Sequence, residues 1–203
     1  MALANKLGIE DDIELARAEE RLTKRRALEL FETGLLDTFE VGTFDGLAPI
    51  HGYLFQDVYA FAGSRRTVNI AKGNFRFAPV MYLDAALDAI GKMPQTTFEQ
   101  IVEKYVEMNI AHPFREGNSR STRIWLDAIL KRELRRVVDW SRVDREDYLF
   151  AMERSPVRDT EIKALLKVAL TDLVDDRQVY MKGIDASYRY EGYATYTMDE
   201  LRG

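Results

Sequence analysis

Apolar residues recur every three or four positions along most of the chain, the spacing that places them on one face of a helix. Charged residues fill the positions between them, so each helix has one face to bury and one to leave in solvent. The segments that this pattern predicts to be helical are 10–33, 45–60, 79–91, 97–111, 118 onward, 144–153, 159–174 and 185–191. In the helix that begins near Asn118, residues 124–126 are all apolar, which predicts a central, buried helix.

Residues 66–77 follow a different pattern. Residues 66–70 and 75–77 alternate between apolar and polar side chains, and residues 72–74 are typical of a turn. This pattern predicts a short β-hairpin. A chain of 203 residues suits one domain with its own core. We therefore predict an all-α fold, a helical bundle that carries one short hairpin.

Composition narrows the chemistry that the chain can perform. It has no cysteine, which excludes disulfides, thiolate zinc sites, iron–sulfur clusters and thiol catalysis. It has two histidines, His51 and His112, so any imidazole chemistry must use one of them. The 29 lysines and arginines and 34 aspartates and glutamates give a net charge of −5, which does not favour a nucleic-acid partner.

The basic and apolar segments are short. The clusters 24–26 and 132–136 are flanked by acids, and we interpret them as solvated helix faces. No run of about 18 apolar residues is present, so we expect no membrane span. The N-terminal residues lack an apolar leader segment, and together with the lack of cysteine this favours a cytoplasmic location.

The segment 112–123 joins a turn to the start of a helix, and it carries the strongest functional signal in the sequence. The first N–H groups of a helix have no internal acceptor, and the helix dipole makes that end positive. Such an end binds phosphate. Gly117 lets the backbone approach an anion closely, and Asn118 and Ser119 have side chains that can donate to phosphate oxygens.

Charged side chains surround this helix start. Arg120 and Arg123 lie three apart on one helix face, where two guanidinium groups can hold a polyphosphate. Glu116 offers one hard oxygen ligand, which suits a Mg²⁺ ion that bridges phosphates. His112 lies at the mouth of the loop, and its ordinary pKa suits a general base. Each residue alone is more often structural, but the whole combination within one short segment is hard to explain that way.

This segment closely resembles the signature of the Fic (filamentation induced by cAMP) family, His-x-Phe-x-(Asp/Glu)-Gly-Asn-(Gly/Lys)-Arg-x-x-Arg, with Ser119 as the departure. Residues 44–63 resemble the family's other recurrent region, and the hairpin resembles its flap. The resemblance implies one Fic-type domain over 1–203. Its parts would be an N-terminal helical extension at 1–40, a catalytic core at 41–180 with a flap at 64–78, and a C-terminal inhibitory helix and tail at 181–203.

Fic enzymes usually transfer AMP from ATP to a protein hydroxyl, so the resemblance implies a protein adenylyltransferase that uses ATP and Mg²⁺. His112 would deprotonate a tyrosine, serine or threonine of a target protein, and that oxygen would attack the α-phosphorus. Glu116 would hold Mg²⁺, and Phe114 would be a buried anchor for the loop. The phosphates would be bound by Gly117, Asn118, Ser119, Arg120 and Arg123.

The resemblance also implies that the flap docks a target segment as an added strand, with Val68, Ile70 and Lys72 as the contact residues. Serine at position 119 is closer in size to the family's glycine than to the lysine of a kinase-like variant. AMP transfer therefore stays the first choice. His51 falls within the helical pattern of the segment 45–60, and we interpret it as structural.

Near the C-terminus, Ser187 and Glu191 resemble the inhibitory pattern Ser-x-x-x-Glu-(Gly/Asn) of self-inhibited Fic proteins. They lie four residues apart and so share a helix face. The resemblance implies that Glu191 pairs with Arg123 and occupies the place of the γ-phosphate. If this helix unfolds, one of three nearby hydroxyls could become a self-modification site: Tyr188, Tyr190 or Tyr193.

Three alternatives stay open. A de-AMPylase would use Glu191 to position water, and a phosphotransferase would hold the nucleotide differently on the same scaffold. A non-catalytic helical interaction module has no need for His112, Glu116 and both arginines together. Compact bacterial relatives of this class are often toxin-like and modify type II topoisomerase subunits, which implies such a target here. Self-association into an inactive store is a further expectation.

Overall fold

Eight α-helices make up most of the computed structural model, which describes residues 2–73, 75–193 and 195–201, except the side chain of Lys72. Their bounds are α1 Asp12–Glu32, α2 Phe44–Phe55, α3 Val80–Lys92, α4 Phe98–Ala111, α5 Asn118–Leu134, α6 Arg145–Arg154, α7 Thr160–Val168 and α8 Arg177–Tyr190. The predicted all-α class is confirmed. Among the described residues, no helix has both the length and the apolar character needed to cross a bilayer.

Helix α5 lies at the centre of the bundle, as its apolar middle predicts. Ile124, Trp125 and Leu126 are buried, and the helix packs against α2, α4 and α8. Helix α4 leads directly into α5 through the loop 112–117, so the start of α5 is held by two packed helices. The predicted phosphate-binding segment therefore has a rigid support.

Local sequence determines where the helices begin. The Asp11 side chain accepts hydrogen bonds from the N–H groups of Ile13 and Glu14 and caps α1. Thr97 and Gln100 form a reciprocal capping box at the start of α4. The face of α4 that the spacing predicts is buried in the core.

The predicted hairpin is present, but it is shorter and lies further along the chain. Strand β1, Ala71–Lys72, pairs antiparallel with strand β2, Phe75–Arg76, so the prediction of a strand at 66–70 is wrong. The backbone there has other partners, because the Arg66 side chain donates to the Val68 carbonyl and the Arg66 N–H to the Pro113 carbonyl. Asn74 of the predicted turn lies outside the described residues.

Three predicted helix boundaries are also wrong. Helix α2 ends at Phe55 and not at residue 60, and α7 ends at Val168 and not at residue 174. After α7, strand β4, Leu170–Thr171, pairs antiparallel with strand β3, Val137–Val138. Helix α8 begins at Arg177 and not at residue 185, because the Asp176 side chain caps it by accepting from the Val179 N–H.

The basic cluster at 24–26 is not a solvated helix face throughout. The Lys24 ammonium is buried, 3.1 Å from a carboxylate oxygen of Glu20 and 3.0 Å from one of Asp185 on α8. Its Nζ also donates to the Tyr196 carbonyl. Burial without such partners would be unfavourable for an ammonium group, so these contacts join α1 to α8 and to the segment that follows it.

Candidate active site

Helix α4 ends at His112, which adopts the left-handed conformation with φ 49° and ψ 63°. The His112 N–H donates to the Met108 carbonyl at 3.0 Å, and its ring nitrogen Nδ1 lies 3.3 Å from the Asn109 carbonyl oxygen. The Phe77 ring, directly after β2, stacks on the imidazole with ring centroids 3.7 Å apart. The end of α4 and the hairpin segment together orient this side chain.

Gly117 turns the chain into α5 with φ 77°, and two features of the site require glycine there. The left-handed conformation favours it. A Cβ atom would also lie 2.3 Å from Cζ of the buried Phe55. Within the described residues no side chain caps the start of α5, so the N–H groups of its first turn are oriented toward an external acceptor.

Asn118 closes the loop. Its Oδ1 accepts from the Phe114 N–H, and its Nδ2 donates to the Phe114 carbonyl, both at 2.8 Å. The Asn118 amide is thus buried and bonded to the loop through both its oxygen and its nitrogen, and its contact with phosphate stays a prediction. The backbone N–H groups of Asn118 and of the half-buried Ser119 are the donors that the start of α5 presents to a ligand.

His51 supports the same loop from α2. Its Nε2 donates to the Glu116 carbonyl at 2.8 Å, and its Nδ1 accepts from the Gly63 N–H at 2.9 Å. Its ring stacks on the Phe114 ring with centroids 3.7 Å apart. Burial lowers the pKa of His51 to about 3, so the ring is neutral at pH 7. The structural interpretation of His51 is confirmed, but the helical pattern did not indicate that it holds the candidate catalytic loop.

Arg120 is buried between two carboxylates. It donates to Glu116 at 3.0 Å and forms a second, shorter ion pair with Glu19 of α1. Glu19 also accepts a hydrogen bond from the Tyr59 hydroxyl. Sequence reasoning missed Glu19, since nothing in the helical pattern of α1 distinguishes it from the other acidic residues of that helix.

Arg123 is buried on the same helix and contacts α8. Its guanidinium donates to Glu191 Oε1 at 3.0 Å, to the Ser187 hydroxyl at 2.7 Å and to the Ser187 carbonyl at 3.1 Å. The rings of Tyr148 and Tyr190 lie 4.9 Å and 5.0 Å from its guanidinium carbon. The predicted phosphate ligand is thus surrounded by aromatic rings and by an acid.

A cleft of about 300 Å³ brings most of the predicted site residues together. Its lining is Ile70, Ala71, Phe77, His112, Arg115, Glu116, Gly117, Asn118, Ser119, Arg120 and Glu191. Glu191 faces this cleft, whereas Arg123 is not part of its lining. A volume near 300 Å³ is at the lower end for small-molecule sites.

The predicted flap residues and the three tyrosines near the C-terminus differ in exposure. Val68 is 40% exposed, Ile70 lines the cleft, and the side chain of Lys72 lies outside the description. The Tyr188 hydroxyl is buried and donates to the Thr23 hydroxyl. The Tyr190 hydroxyl is also buried and donates to the Val143 carbonyl at 2.6 Å. Tyr193 is half-buried, and its ring lies 4.8 Å from the Arg120 guanidinium carbon.

The site offers few ligands for a metal ion. The Glu116 carboxylate is 45% exposed in the cleft, and its Oε1 accepts from Arg120 and from the Gly117 N–H. Among the described residues, no group of three histidine, aspartate or glutamate side chains is arranged to hold a metal. This donor set fits a Mg²⁺ ion carried by phosphates better than an ion held by the protein alone.

The fold and site together define a helical domain in which a helix start without a side-chain cap adjoins a histidine-bearing loop and a hairpin. A sequence model described as the Fic/DOC family matches residues 43–130. The probable protein adenylyltransferase y4lH of Sinorhizobium fredii is 32% identical over 165 residues, covering 75% of this chain and 82% of that protein. The chain belongs to the Fic/DOC family, as the motif at 112–123 predicts.

Two further proteins are similar to this chain. Protein adenylyltransferase VbhT of Bartonella schoenbuchensis is 33% identical over 189 residues, which cover 86% of this chain but 38% of that protein. Both of these relatives are named as protein adenylyltransferases, which are nucleotidyltransferases, so the predicted enzyme class is confirmed. The crystal structure of BepC from Bartonella tribocorum with bound AMPPNP superposes with a TM-score of 0.71 at 18% identity, covering 84% of this chain and 93% of that one. This likeness concerns the fold.

Proposed function

We propose that this chain is an autoinhibited protein adenylyltransferase, which transfers AMP from ATP to a tyrosine, serine or threonine hydroxyl of a target protein. The observation that carries the proposal is the cleft in which His112 and Glu116 adjoin the start of α5. The names of the curated relatives and the AMPPNP in the BepC structure support ATP as the nucleotide.

In the proposed reaction the His112 imidazole takes the proton of the target hydroxyl. The hydroxyl oxygen forms a bond to the α-phosphorus, the bond from that phosphorus to the β-bridging oxygen breaks, and pyrophosphate leaves. His51 cannot act as this base, because it is buried and both of its ring nitrogens are hydrogen-bonded. The N–H groups at the start of α5 stabilise the negative charge that develops on the phosphate.

Glu116 and Arg120 have supporting roles in this proposal. A Mg²⁺ ion carried by the nucleotide would neutralise phosphate charge, with the exposed Glu116 carboxylate as its protein ligand. Arg120 lines the cleft and pairs with Glu116 and Glu19, so it offsets part of their negative charge beside the phosphate site. Ser119 leaves space close to that of the family's glycine, which is compatible with AMP transfer.

Autoinhibition rests on the position of Glu191. It faces the cleft and pairs with Arg123, which is buried behind it. In the proposal, Glu191 and Ser187 occupy Arg123 and so deny it to the γ-phosphate, which leaves ATP bound unproductively. Removal of the Glu191 carboxylate would free Nη2 of Arg123, while Nη1 keeps its bonds to Ser187.

Radiolabel transfer tests this function. The wild type, Glu191→Gly, and Glu191→Gly combined with His112→Ala are incubated with Mg²⁺ and either [α-³²P]ATP or [γ-³²P]ATP. The acceptors are the subunits of a bacterial type II topoisomerase, bacterial lysate proteins, and the chain itself. We expect protein label from the α position only, strong in the single variant and lost in the double variant.

The controls separate the alternatives. Glu200→Gly changes an exposed acid in the same tail and should leave the wild-type level of label unchanged. Label from the γ position would indicate a phosphotransferase, and release of label from pre-labelled protein by the wild type would indicate a de-AMPylase. Absence of label with every variant and acceptor would favour the interaction module. Light scattering across a range of concentrations tests the expected self-association, and cell fractionation tests the cytoplasmic location.

A further inference from the structure

The Arg66 side chain joins the base of the hairpin to the residue that carries the candidate catalytic imidazole. Its Nε donates to the His112 carbonyl at 2.7 Å, and its Nη2 donates to the Ala111 carbonyl at 3.1 Å. Its other bonds go to the hairpin side, to Val68 at 2.8 Å and to Ala78 at 2.5 Å. One guanidinium therefore bonds to two segments that are distant in sequence.

These acceptors are backbone carbonyls, and the arginine is buried. Arg66 is 4% exposed, and within the part of the chain that the structure describes no carboxylate lies within ion-pair distance of it. Burial accordingly lowers the pKa of Arg66. Burial of a charge without an ionic partner is unfavourable. Here four carbonyl acceptors and the negative C-terminal end of the α4 dipole offset part of that cost.

The backbone at His112 needs such support. A residue other than glycine in the left-handed conformation is strained by roughly 1–2 kcal/mol, and strain of this kind persists only where neighbouring groups over-determine the geometry. Arg66 binds the carbonyl of His112 through its side chain and that of Pro113 through its N–H at 2.8 Å. It thus holds the backbone on both sides of the His112–Pro113 peptide bond.

The same contacts couple the imidazole to the hairpin. The Ala78 N–H donates to the Ile110 carbonyl at 3.1 Å, and the Phe77 ring stacks on the His112 ring. The hairpin, its base and the end of α4 therefore form one hydrogen-bonded unit with Arg66 at its centre. A target segment that pairs with the hairpin would be positioned relative to the imidazole through this unit.

We propose that Arg66 is a positioning residue, which fixes the His112 imidazole and the hairpin relative to each other. This inference rests on the proposed role of His112 as the base. The planar, five-donor guanidinium is essential to it, because a lysine ammonium cannot bond to carbonyls on both segments in fixed directions. Arg66→Lys keeps the charge and Arg66→Met keeps most of the stem, so the two variants separate charge from geometry.

The two histidines make a direct test. Imidazole ¹H–¹³C resonances of the full chain are recorded for the wild type, Arg66→Lys and Arg66→Met, with assignments from His51→Gln and His112→Ala. We expect the His112 resonances to move or broaden in both variants, because the Phe77 ring no longer lies over the imidazole. The His51 resonances should stay in place, because that ring is held by Gly63 and Glu116.

Arg65→Met is the matched control. Arg65 is the neighbouring residue, but it is half exposed and pairs with Asp84 on α3, so its loss should move neither histidine. Unchanged His112 resonances in both Arg66 variants would overturn the proposal. If the resonances of both histidines collapse together in both variants, Arg66 acts on the whole fold, and the proposal is equally overturned.

Kinetics provide a second readout. In the Glu191→Gly background, we expect Arg66→Lys to lower kcat for AMP transfer by about ten- to a hundredfold, since a small misplacement of a reacting group has effects of that size. The KM for ATP should change less than about twofold, because the helix start is untouched. If the Glu191→Gly parent itself transfers no label, the proposed function fails, and the resonance test alone then decides the role of Arg66. A fall in affinity for ATP at unchanged kcat would contradict the positioning role.

Discussion

One histidine of this chain lies in the loop 112–117 and the other contacts that loop, and the two differ in their surroundings. His51 is buried with both ring nitrogens hydrogen-bonded, whereas His112 is partly exposed and lines the cleft. The difference arises from position, because His51 lies within a packed helix and His112 at the left-handed end of another. One imidazole is therefore a structural support, and the other can meet a substrate.

The buried His51 should make stability depend on pH. Burial lowers its pKa to about 3, below the value of about 6.5 in the unfolded chain, so the unfolded state takes up the proton first. Its contribution is fully present above pH 6.5 and is lost as the pH falls. We expect the free energy of unfolding of the wild type, relative to His51→Gln, to fall by about 1.4 kcal/mol for each pH unit between 6 and 4. Urea unfolding of both proteins at pH 7, 5 and 4 measures this, and parallel pH profiles would contradict it.

Gly117 is predicted to be intolerant of a side chain for a reason of packing. A Cβ atom there would overlap Phe55, whereas Gly34 has a similar φ of 69° and no atom within 4 Å of such a Cβ position. The free energy of unfolding should therefore fall by about 1 kcal/mol in Gly34→Ala, the cost of a side chain in the left-handed conformation. In Gly117→Ala it should fall by roughly 1–3 kcal/mol more, because the added Cβ overpacks the core. Urea unfolding compares the two, and equal losses would show that Phe55 relaxes freely.

At the level of elements, helix α1 is part of the candidate site. The sequence pattern treats it as an extension, yet Glu19 pairs with Arg120 and Lys24 pairs with Asp185 on α8. Both pairs are largely buried, so α1 supplies charges that the core of the site needs. A helical periodicity shows which face is buried, but it does not show which distant charge that face meets.

Glu19→Gln tests this contribution. The variant leaves the Arg120 guanidinium buried with one carboxylate fewer, and breaking a buried pair in this way costs about 3–5 kcal/mol. Glu14→Gln, an exposed change on the same helix, should cost a few tenths of a kcal/mol. Urea unfolding at pH 7 measures both. Similar small losses in the two variants would mean that Arg120 finds sufficient compensation in Glu116.

The sequence predicted the elements with strong periodicity and missed those whose boundaries depend on hydrogen bonds to residues distant in sequence. The helical face of α4 and the buried centre of α5 follow from spacing alone. The displaced hairpin does not, because the Arg66 N–H bonds to the Pro113 carbonyl and the Val68 carbonyl to the Arg66 guanidinium, outside the hairpin ladder. At the site, the motif indicated His112, Glu116 and the helix start, whereas His51, Arg66 and Glu19 act through contacts between segments far apart in sequence.

For the molecule as a whole, α8 is an integral part of the core. The side chains of Tyr188 and Tyr190 are buried, and their hydroxyls bond to Thr23 on α1 and to the Val143 carbonyl. The segment beyond α8 is also held, because the Thr195 and Tyr196 N–H groups donate to Glu20. Burial of each aromatic side chain stabilises the fold by roughly 1.5–3 kcal/mol, so departure of α8 would expose much of the core.

Relief of the proposed inhibition should therefore be local. Glu191 lies just after α8, and Gly192 follows it with φ 90°, so the carboxylate can leave Arg123 without unwinding the helix. We expect hydrogen exchange of the α8 amides to be the same in Glu191→Gly and the wild type, within about threefold, while exchange at 117–120 increases. Selective loss of protection across α8 would contradict this.

The expectation also bears on the predicted self-modification, since Tyr188 and Tyr190 then stay inaccessible and only the half-buried Tyr193 could accept AMP. Mass spectrometry of tryptic peptides after incubation with ATP and Mg²⁺ distinguishes these residues, and an adduct on Tyr188 or Tyr190 would show that α8 does unfold.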